Sequence, residues 1–496
     1  MERRRMSSGQ LNSAAGTAGV SPATSYGFTQ HSDELGNTDK VAFNEAGETP
    51  AVPVKPVPAC RLSATDAFFV AYQERAGILM QLGGDVELEG ELEPEHLEQM
   101  VAYVVNRWPR LGQTVKKNLL GLKWDGKCLT SEMLRVDAGA DAVNRWRNEP
   151  IDPFHEPPFQ VLWVPNRGSS TVAFRAHHAV MDGESFVAVT AVAAQFLTQV
   201  RVGKQSPLPA PAEVTTLNDL VSLRQLIRRR RVRGMWRYMR WLAEEARSGR
   251  SARLDVDACT TGDTYTCERR LEPHAFMRLK QRAAAARTAP TWLCAAAWMR
   301  AIHRWNVSRG STTNSIVSLE FPVSLRRGRA SDRRNGYDML GNFISPLVLF
   351  GDARQPLGDL ARELKKQLMQ GIRSQSHLGT PLFTAPGKFL PWVLFRRVAV
   401  NPRTTGFATS HFTWFEQSDI RADLARFSEG TLRVTGQRIY TPVCLHMGAA
   451  LAVLASPEYA QVFLTYRDTA LSSEAAEQLI DLMLAELKDD GERHES

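Results

Sequence analysis

The sixteen residues from Thr171 to Phe186, TVAFRAHHAVMDGESF, constrain this chain more than any other stretch. Thr171 to Ala176 alternate or run apolar like a buried strand, and Gly183 opens ESFVAVTAVAAQFL, whose apolar residues recur at helical spacing. HHAVMD therefore lies at a strand-to-helix crossing, where side chains face clefts. A histidine placed there, His178, can act as a general base, because a neutral imidazole of pKa about 6.5 takes a proton at neutral pH and returns it within one cycle. Asp182, four residues on, can orient the loop that holds it. Two other readings stay open on these residues alone. His178 can be a satisfied core histidine, or His178 and Asp182 can be two metal ligands. Gly183 breaks a helix and no third ligand sits near, so no metal is expected.

The 496 residues have room for one large or two to three ordinary domains, and 43% hydrophobic with 23% charged residues exclude a wholly disordered, collagenous or multi-span membrane chain. Residues 1–60, rich in Ser, Thr, Gly, Ala and Pro and ending in TPAVPVKPVPAC, read as a disordered tail. Folded structure is expected from Arg61. Ser63 is a cap candidate before ATDAFFVAYQ, VELEGEL alternates as a strand, and Pro94 opens a helix whose Leu97, Met100, Val101, Val104, Val105 and Trp108 share one face. A polar, Pro-rich patch near residue 203 separates a first lobe, 61–202, from a linker, 203–259, and a second lobe, 260–490. In the second lobe, strands are expected at TYTCERRLE, NSIVSLEFPVSL, NFISPLVLF, ALAVLAS and QVFLTYRD, and helices at Pro290 to Asn306, PLGDLARELKKQLMQGI and SSEAAEQLIDLMLAELK. Both halves are mixed α/β, so the expected class is α+β with no solenoid repeat. The 19 residues from Ile439 to Pro457 lack Asp, Glu, Lys and Arg, but Pro442, His446 and Gly448 favour two buried strands joined by a turn over a membrane span. Six cysteines without a CxxC pair imply neither a disulfide framework nor a zinc site, and MERRRMSSGQLNSAAG has no apolar region of a secretory signal, so a cytoplasmic setting is expected.

HHAVMDG is similar to HHxxxDG, the signature of the chloramphenicol acetyltransferase-like superfamily, which includes nonribosomal peptide condensation domains, stand-alone condensation enzymes, polyketide-associated acyltransferases and wax ester synthases. Other segments agree in order. VELEGELEPEHLEQMVAYVVNRWPRLGQTV resembles the family's first strand, helix and "hPaLR" segment, and PIDPFHEPPFQVLWV the stretch before the motif strand. FPVSLR at 321–326 resembles "PVxxR", Gly341-Asn342 the following GN, and LTYRDTALS the closing strand; together they cover about residues 61–490. The nearest likeness is to stand-alone condensation-domain and polyketide-associated acyltransferase proteins of secondary metabolism. The resemblance implies two chloramphenicol acetyltransferase-like lobes with the active site in a tunnel at their interface. It implies His178 as general base, His177 and Gly183 as structural motif residues, and Asp182 in a salt bridge with Arg326. The DFGWG motif of plant acyltransferases is absent, and SHFTWF at 410–415 stands where condensation domains tend to show Ser-Asn-x-Gly. Ser410 or Asn342 can stabilise the oxyanion. The implied reaction moves an acyl group from a CoA or phosphopantetheine thioester, presented as acyl-CoA or on an acyl carrier protein, to a hydroxyl or amine, with no permanently bound cofactor. A membrane-associated, lipid-directed acyltransferase of the wax ester synthase kind and a non-catalytic condensation-like binding protein are the alternatives.

One segment lies outside that pattern. Residues 221–247 place Val232, Met235, Trp236, Met239 and Leu242 on one helical face, with Arg228, Arg229, Arg231, Arg233, Arg237 and Arg240 around it. An ordinary inter-lobe helix, a peripheral membrane contact and a dock for an acidic carrier protein all fit this basic amphipathic pattern. Nucleic acid is not expected, since no aromatic-lined sheet or finger accompanies the arginines, and the 49 Arg against 12 Lys in a net charge of +8 have a bland cause available in GC-rich codon usage.

Overall fold

A computed structural model describes residues 59–488 apart from 120, 140, 202–232, 259, 312–313, 327–338, 380–389, 400–407, 417–431 and most of 234–250. The expected tail up to residue 58 and most of the arginine-rich segment lie outside the described residues. The chain begins with α1 (Ala64–Ala76), which starts at a reciprocal capping box: the Asp66 N–H donates to Ser63 Oγ and the Ser63 N–H to Asp66 Oδ2, each at 3.1 Å. Gly77, at φ 65°, ends it in the left-handed conformation. Then follow β1 (Gln81–Glu89), α2 (Pro94–Arg107), a ribbon of β2 (Gln113–Asn118) and β3 (Gly121–Cys128), β4 (Leu134–Val136), α3 (Ala142–Asn148), β5 (Phe159–Asn166), β6 (Ser169–His177) and α4 (Gly183–Arg201). On one sheet face Phe159, Val161, Val172 and Phe174 alternate inward against Leu97, Met100 and Val104 of α2 and Val189 of α4. The other face carries Gln160 and Arg175 and is partly covered by Trp146 of α3.

The second half contains β7 (Thr264–Leu271), α5 (Pro273–Ala285), α6 (Pro290–Ser308), β8 (Ile316–Ser324), β9 (Ile344–Asp352), α7 (Leu357–Arg373), α8 (Trp392–Ala399), β10 (Ser410–Glu416), β11 (Arg433–Tyr440), β12 (Ala449–Ala455), β13 (Ala460–Arg467) and α9 (Ser473–Lys488). Six of these strands form one sheet in the order β7-β13-β12-β10-β8-β9. Leu319, Phe321, Phe412, Trp414, Leu451 and Leu464 pack from it onto α6, α7 and α9, with Trp292 and Trp298 of α6 fully buried. The architecture is therefore α+β with two sheet-and-helix lobes.

The halves drawn from the sequence do not map one to one onto these lobes. The first sheet runs β11-β1-β6-β5-β4, so a strand from beyond residue 430 closes its edge, antiparallel to β1 from Gly83↔Tyr440 to Glu89↔Arg433. From the same half, α8 sends Trp392 and Phe395 into the first core and is tied to α1 where Trp392 Nε1 donates to Glu74 at 3.2 Å. The charge-free stretch from Ile439 holds parts of two strands with a turn between them, as expected, but in different sheets: Ile439 and Tyr440 end β11 in the first, and β12 lies in the second. The segment that joins them across the lobes contains a turn closed by the Met447 N–H on the Cys444 carbonyl at 2.9 Å. Among the described residues no helix is long and apolar enough to cross a membrane.

Candidate active site

β6 ends where its backbone is claimed from outside the sheet ladder. The His177 N–H donates to the Pro158 carbonyl and the His178 N–H to the Met80 carbonyl, both at 2.7 Å. A turn closed by the Val180 N–H on the His177 carbonyl (3.0 Å) leads to Asp182, whose Oδ1 accepts the Ser185 N–H at 2.9 Å as a helix N-cap does. Asp182 thus starts α4 and is also the centre of a clamp between the lobes. Arg326, just past β8, donates Nη1 to Asp182 Oδ2 and Nη2 to Asp182 Oδ1, both at 2.8 Å. It also reaches Glu184 Oε2 (3.0 Å), Ser185 Oγ (2.5 Å) and the Gly341 carbonyl (3.0 Å), and the Phe343 N–H donates to Asp182 Oδ2 at 2.8 Å. Burial alone would raise the Asp182 carboxyl, but the charge and hydrogen bonds of Arg326, with the N–H groups of Ser185 and Phe343, hold it below the ordinary carboxylate range. Gly183 is required by close approach: a Cβ there would stand 2.8 Å from the ring of Phe415 on β10.

His178 projects from this turn at the junction of the lobes and is 8% exposed. Its ring stacks on Phe69 of α1, centroids 3.9 Å apart and planes 10° from parallel. Its Nδ1 lies 3.0 Å from Asn342 Oδ1. Asn342 Nδ2 donates both to Asp66 Oδ1 at 2.9 Å and to the His178 carbonyl at 2.6 Å. Burial pushes the His178 imidazole below its ordinary value, so the ring is neutral at neutral pH. His177 is fully buried; its Nδ1 accepts the Ala179 N–H at 3.0 Å, and burial first, then the neighbouring His178, lowers it to about 3. It is a packing residue without access to a ligand.

The second sheet turns a polar row toward His178. Glu320 of β8 and His411 of β10 are paired side by side, with His411 Nδ1 3.6 Å from Glu320 Oε1 and His411 Nε2 2.6 Å from Thr413 Oγ1. Burial would raise Glu320, yet His411, His446 and His178 together hold it below its ordinary value. Ser410, next in the strand, faces the other way: it is fully buried, donates to the Ala449 carbonyl at 2.7 Å and accepts from Trp298 Nε1 at 3.1 Å. Among the described residues no group of three or more His, Cys, Asp or Glu is placed to hold a metal ion. Sequence reasoning missed Asp66, Phe69 and Glu320. Asp66 was hidden because Ser63-Ala64-Thr65-Asp66 already reads as a helix start, and Glu320 because it is one polar residue in an alternating strand.

No family model matches the chain, and no curated protein matches it. Solved structures do. The chain is similar to the first condensation domain of the calcium-dependent antibiotic synthetase in complex with a substrate analogue, at 14% identity over 87% of this chain and 96% of that one, with a TM-score of 0.64. It is similar to the condensation domain of the monacolin K polyketide synthase (13% identity, 87% and 97% covered, TM-score 0.60). A starter condensation domain of rhizomide synthetase in complex with C8-CoA matches at 16% identity, 87% and 95% covered, with a TM-score of 0.60. The fold is that of these condensation domains.

Proposed function

We propose that the protein is an acyltransferase of the condensation type, taking an acyl group from a CoA or carrier-protein thioester to a hydroxyl or amine. The observation that carries this reading is a stacked and hydrogen-bonded imidazole, His178, at the junction of two lobes that a buried Asp182–Arg326 clamp holds together. The rhizomide neighbour was solved with C8-CoA, which supports a CoA-type donor arm for this fold. In the proposed reaction the acceptor O–H or N–H gives its proton to His178 Nε2 as it attacks the thioester carbonyl. The resulting tetrahedral oxyanion collapses, the C–S bond breaks, and the imidazolium returns the proton to the leaving thiolate. The thioester is already activated, so positioning plus one proton shuttle suffices. Ser410 and Asn342 drop out as oxyanion donors, because the Ser410 hydroxyl hydrogen is given to Ala449 and both Asn342 amide hydrogens are taken. Asp182 and Arg326 build the turn and do not touch substrate.

A second reading within this class is a lipid-directed acyltransferase bound peripherally to a membrane. In the described part of the arginine-rich segment, Tyr238 and Trp241 seat the helix on the second sheet: Tyr238 Oη accepts the Val348 N–H and Trp241 meets Phe350 edge-on. Arg233, Arg240 and Trp236, the last 64% exposed, point outward. Basic side chains flanking an exposed indole suit an anionic interface. Thiol release from acyl-CoA and acyl-carrier thioesters, screened against panels of alcohols and amines, tests the first reading. No acceptor-dependent release with any pair would favour a non-catalytic binding protein. Co-sedimentation with anionic vesicles, lost in Trp236→Ala with Arg233→Ser and Arg240→Ser, tests the second.

A further inference from the structure

Asn342 has one carbonyl oxygen and two amide hydrogens to place, and the structure accounts for all three. One hydrogen goes to Asp66 Oδ1 and the other to the His178 carbonyl. Rotating the amide by half a turn would set its oxygen against both of these oxygens, so Oδ1 must face the imidazole. An oxygen 3.0 Å from Nδ1 can only accept, which requires Nδ1 to carry the ring proton and leaves Nε2 bare.

Asp66 is what makes the amide unable to turn. It is buried, and burial raises its carboxyl above the ordinary value against the pull of Asn342, Arg110 and Ser63. Its Oδ2 is occupied by the Ser63 N–H, which leaves Oδ1 as the acceptor for Asn342. We propose that Asp66 and Asn342 are positioning residues for His178: α1 supplies the carboxyl oxygen that locks the amide, and the amide selects the imidazole tautomer whose free Nε2 faces the reacting groups. This deepens the acyltransferase reading and rests on it for its purpose. The arrangement serves the end of the third group that orients a base in a nucleophile–base pair, with a neutral amide between carboxyl group and imidazole. The interposed amide fixes the tautomer without placing a full negative charge on the ring.

The test reads the tautomer directly and needs no substrate. The full chain labelled with 15N-histidine is observed at neutral pH, His178 being assigned by the signal missing from His178→Gln. The expected spectrum has a protonated Nδ1 and an unprotonated Nε2 at His178. Asn342→Leu should abolish the Nδ1–H signal, and Asp66→Asn, which can present either end of its own amide, should give a mixture of tautomers. Ser63→Ala breaks the helix cap but keeps the Asp66–Asn342 bond, so it should lower the melting temperature and leave the tautomer unchanged. An Nε2–H form in the wild-type chain overturns the proposal even if no variant folds. So does an unchanged Nδ1–H in both Asn342→Leu and Asp66→Asn, or an equal change in Ser63→Ala. An inactive protein would still show the locked tautomer, so failure of the acyltransferase reading is a separate outcome.

Discussion

Arg326 holds two carboxylates at once, and that decides how its site responds to mutation. With Asp182 removed, the guanidinium keeps Glu184 at 3.0 Å; with Arg326 removed, Asp182 and Glu184 face each other in a nearly closed pocket. Arg326→Met is therefore expected to cost about 3–5 kcal/mol, the usual loss when one partner of a buried pair is deleted. Asp182→Asn should cost less, about 1–3 kcal/mol, as the loss of charge-assisted hydrogen bonds. The double variant should cost less than the two effects added, because one change removes what the other strands. A denaturant double-mutant cycle measures all three, and strict additivity would contradict the clamp. Because the folded Asp182 carboxyl lies below its unfolded value, its contribution is fully present above about pH 4 and is lost as pH falls through the folded value. Wild-type stability should drop in that acid window by more than that of Asp182→Asn. The pairing of Asp182 with Arg326 was legible in the sequence because both residues sit in short recognisable motifs. The meeting of Asp66 with Asn342 was not, since the two are 276 residues apart and each has a local explanation.

At the scale of elements, what sequence patterning conveys well is local periodicity and caps. Ser63 before α1, Pro94 in the first turn of α2 and the turn from β6 into α4 are set by hydrogen bonds and side-chain spacing within a few residues. Which face of β10 meets the site is not local: it depends on whether Ser410 or His411 points at α6, and the packing of Phe412 and Trp414 on that helix decides it. The start of α4 shows the same dependence. Gly183 needs only its small size, because Phe415 from the other lobe lies where a Cβ would go. Gly183→Ala should lose about 1–3 kcal/mol by overpacking, and Phe415→Leu should restore most of it. Melting temperatures of the two single variants and the pair check this. An Ala variant as stable as wild type would mean that Phe415 shifts freely and that the contact does not position the turn.

Across the whole molecule, β11 and α8 return from the second half of the chain to complete the first sheet and first core, with Leu432, Val434, Trp392 and Phe395 buried there. Residues 59–201 alone would leave the edge of β1 unpaired and part of that core open to water. Expressed by themselves they should lack a cooperative melting transition, whereas a sharp transition would show the first lobe to be an independent domain. The two lobes, joined by this crossing strand and by the Arg326 clamp, bring His178 of one within electrostatic reach of Glu320 and His411 of the other. The most direct measurement of the central claim is acceptor-dependent thiol release from an acyl thioester by the full chain and by His178→Ala, followed across pH. Turnover should fall by about 10²-fold or more in His178→Ala while the melting transition persists. In the wild type, burial holds the base neutral below its ordinary pKa of about 6.5, so the rate should stay level through neutrality and decline only in more acid solution. Thiol release that is equal in both proteins would contradict His178 as the base, and with it the proposed acyl transfer at the lobe interface.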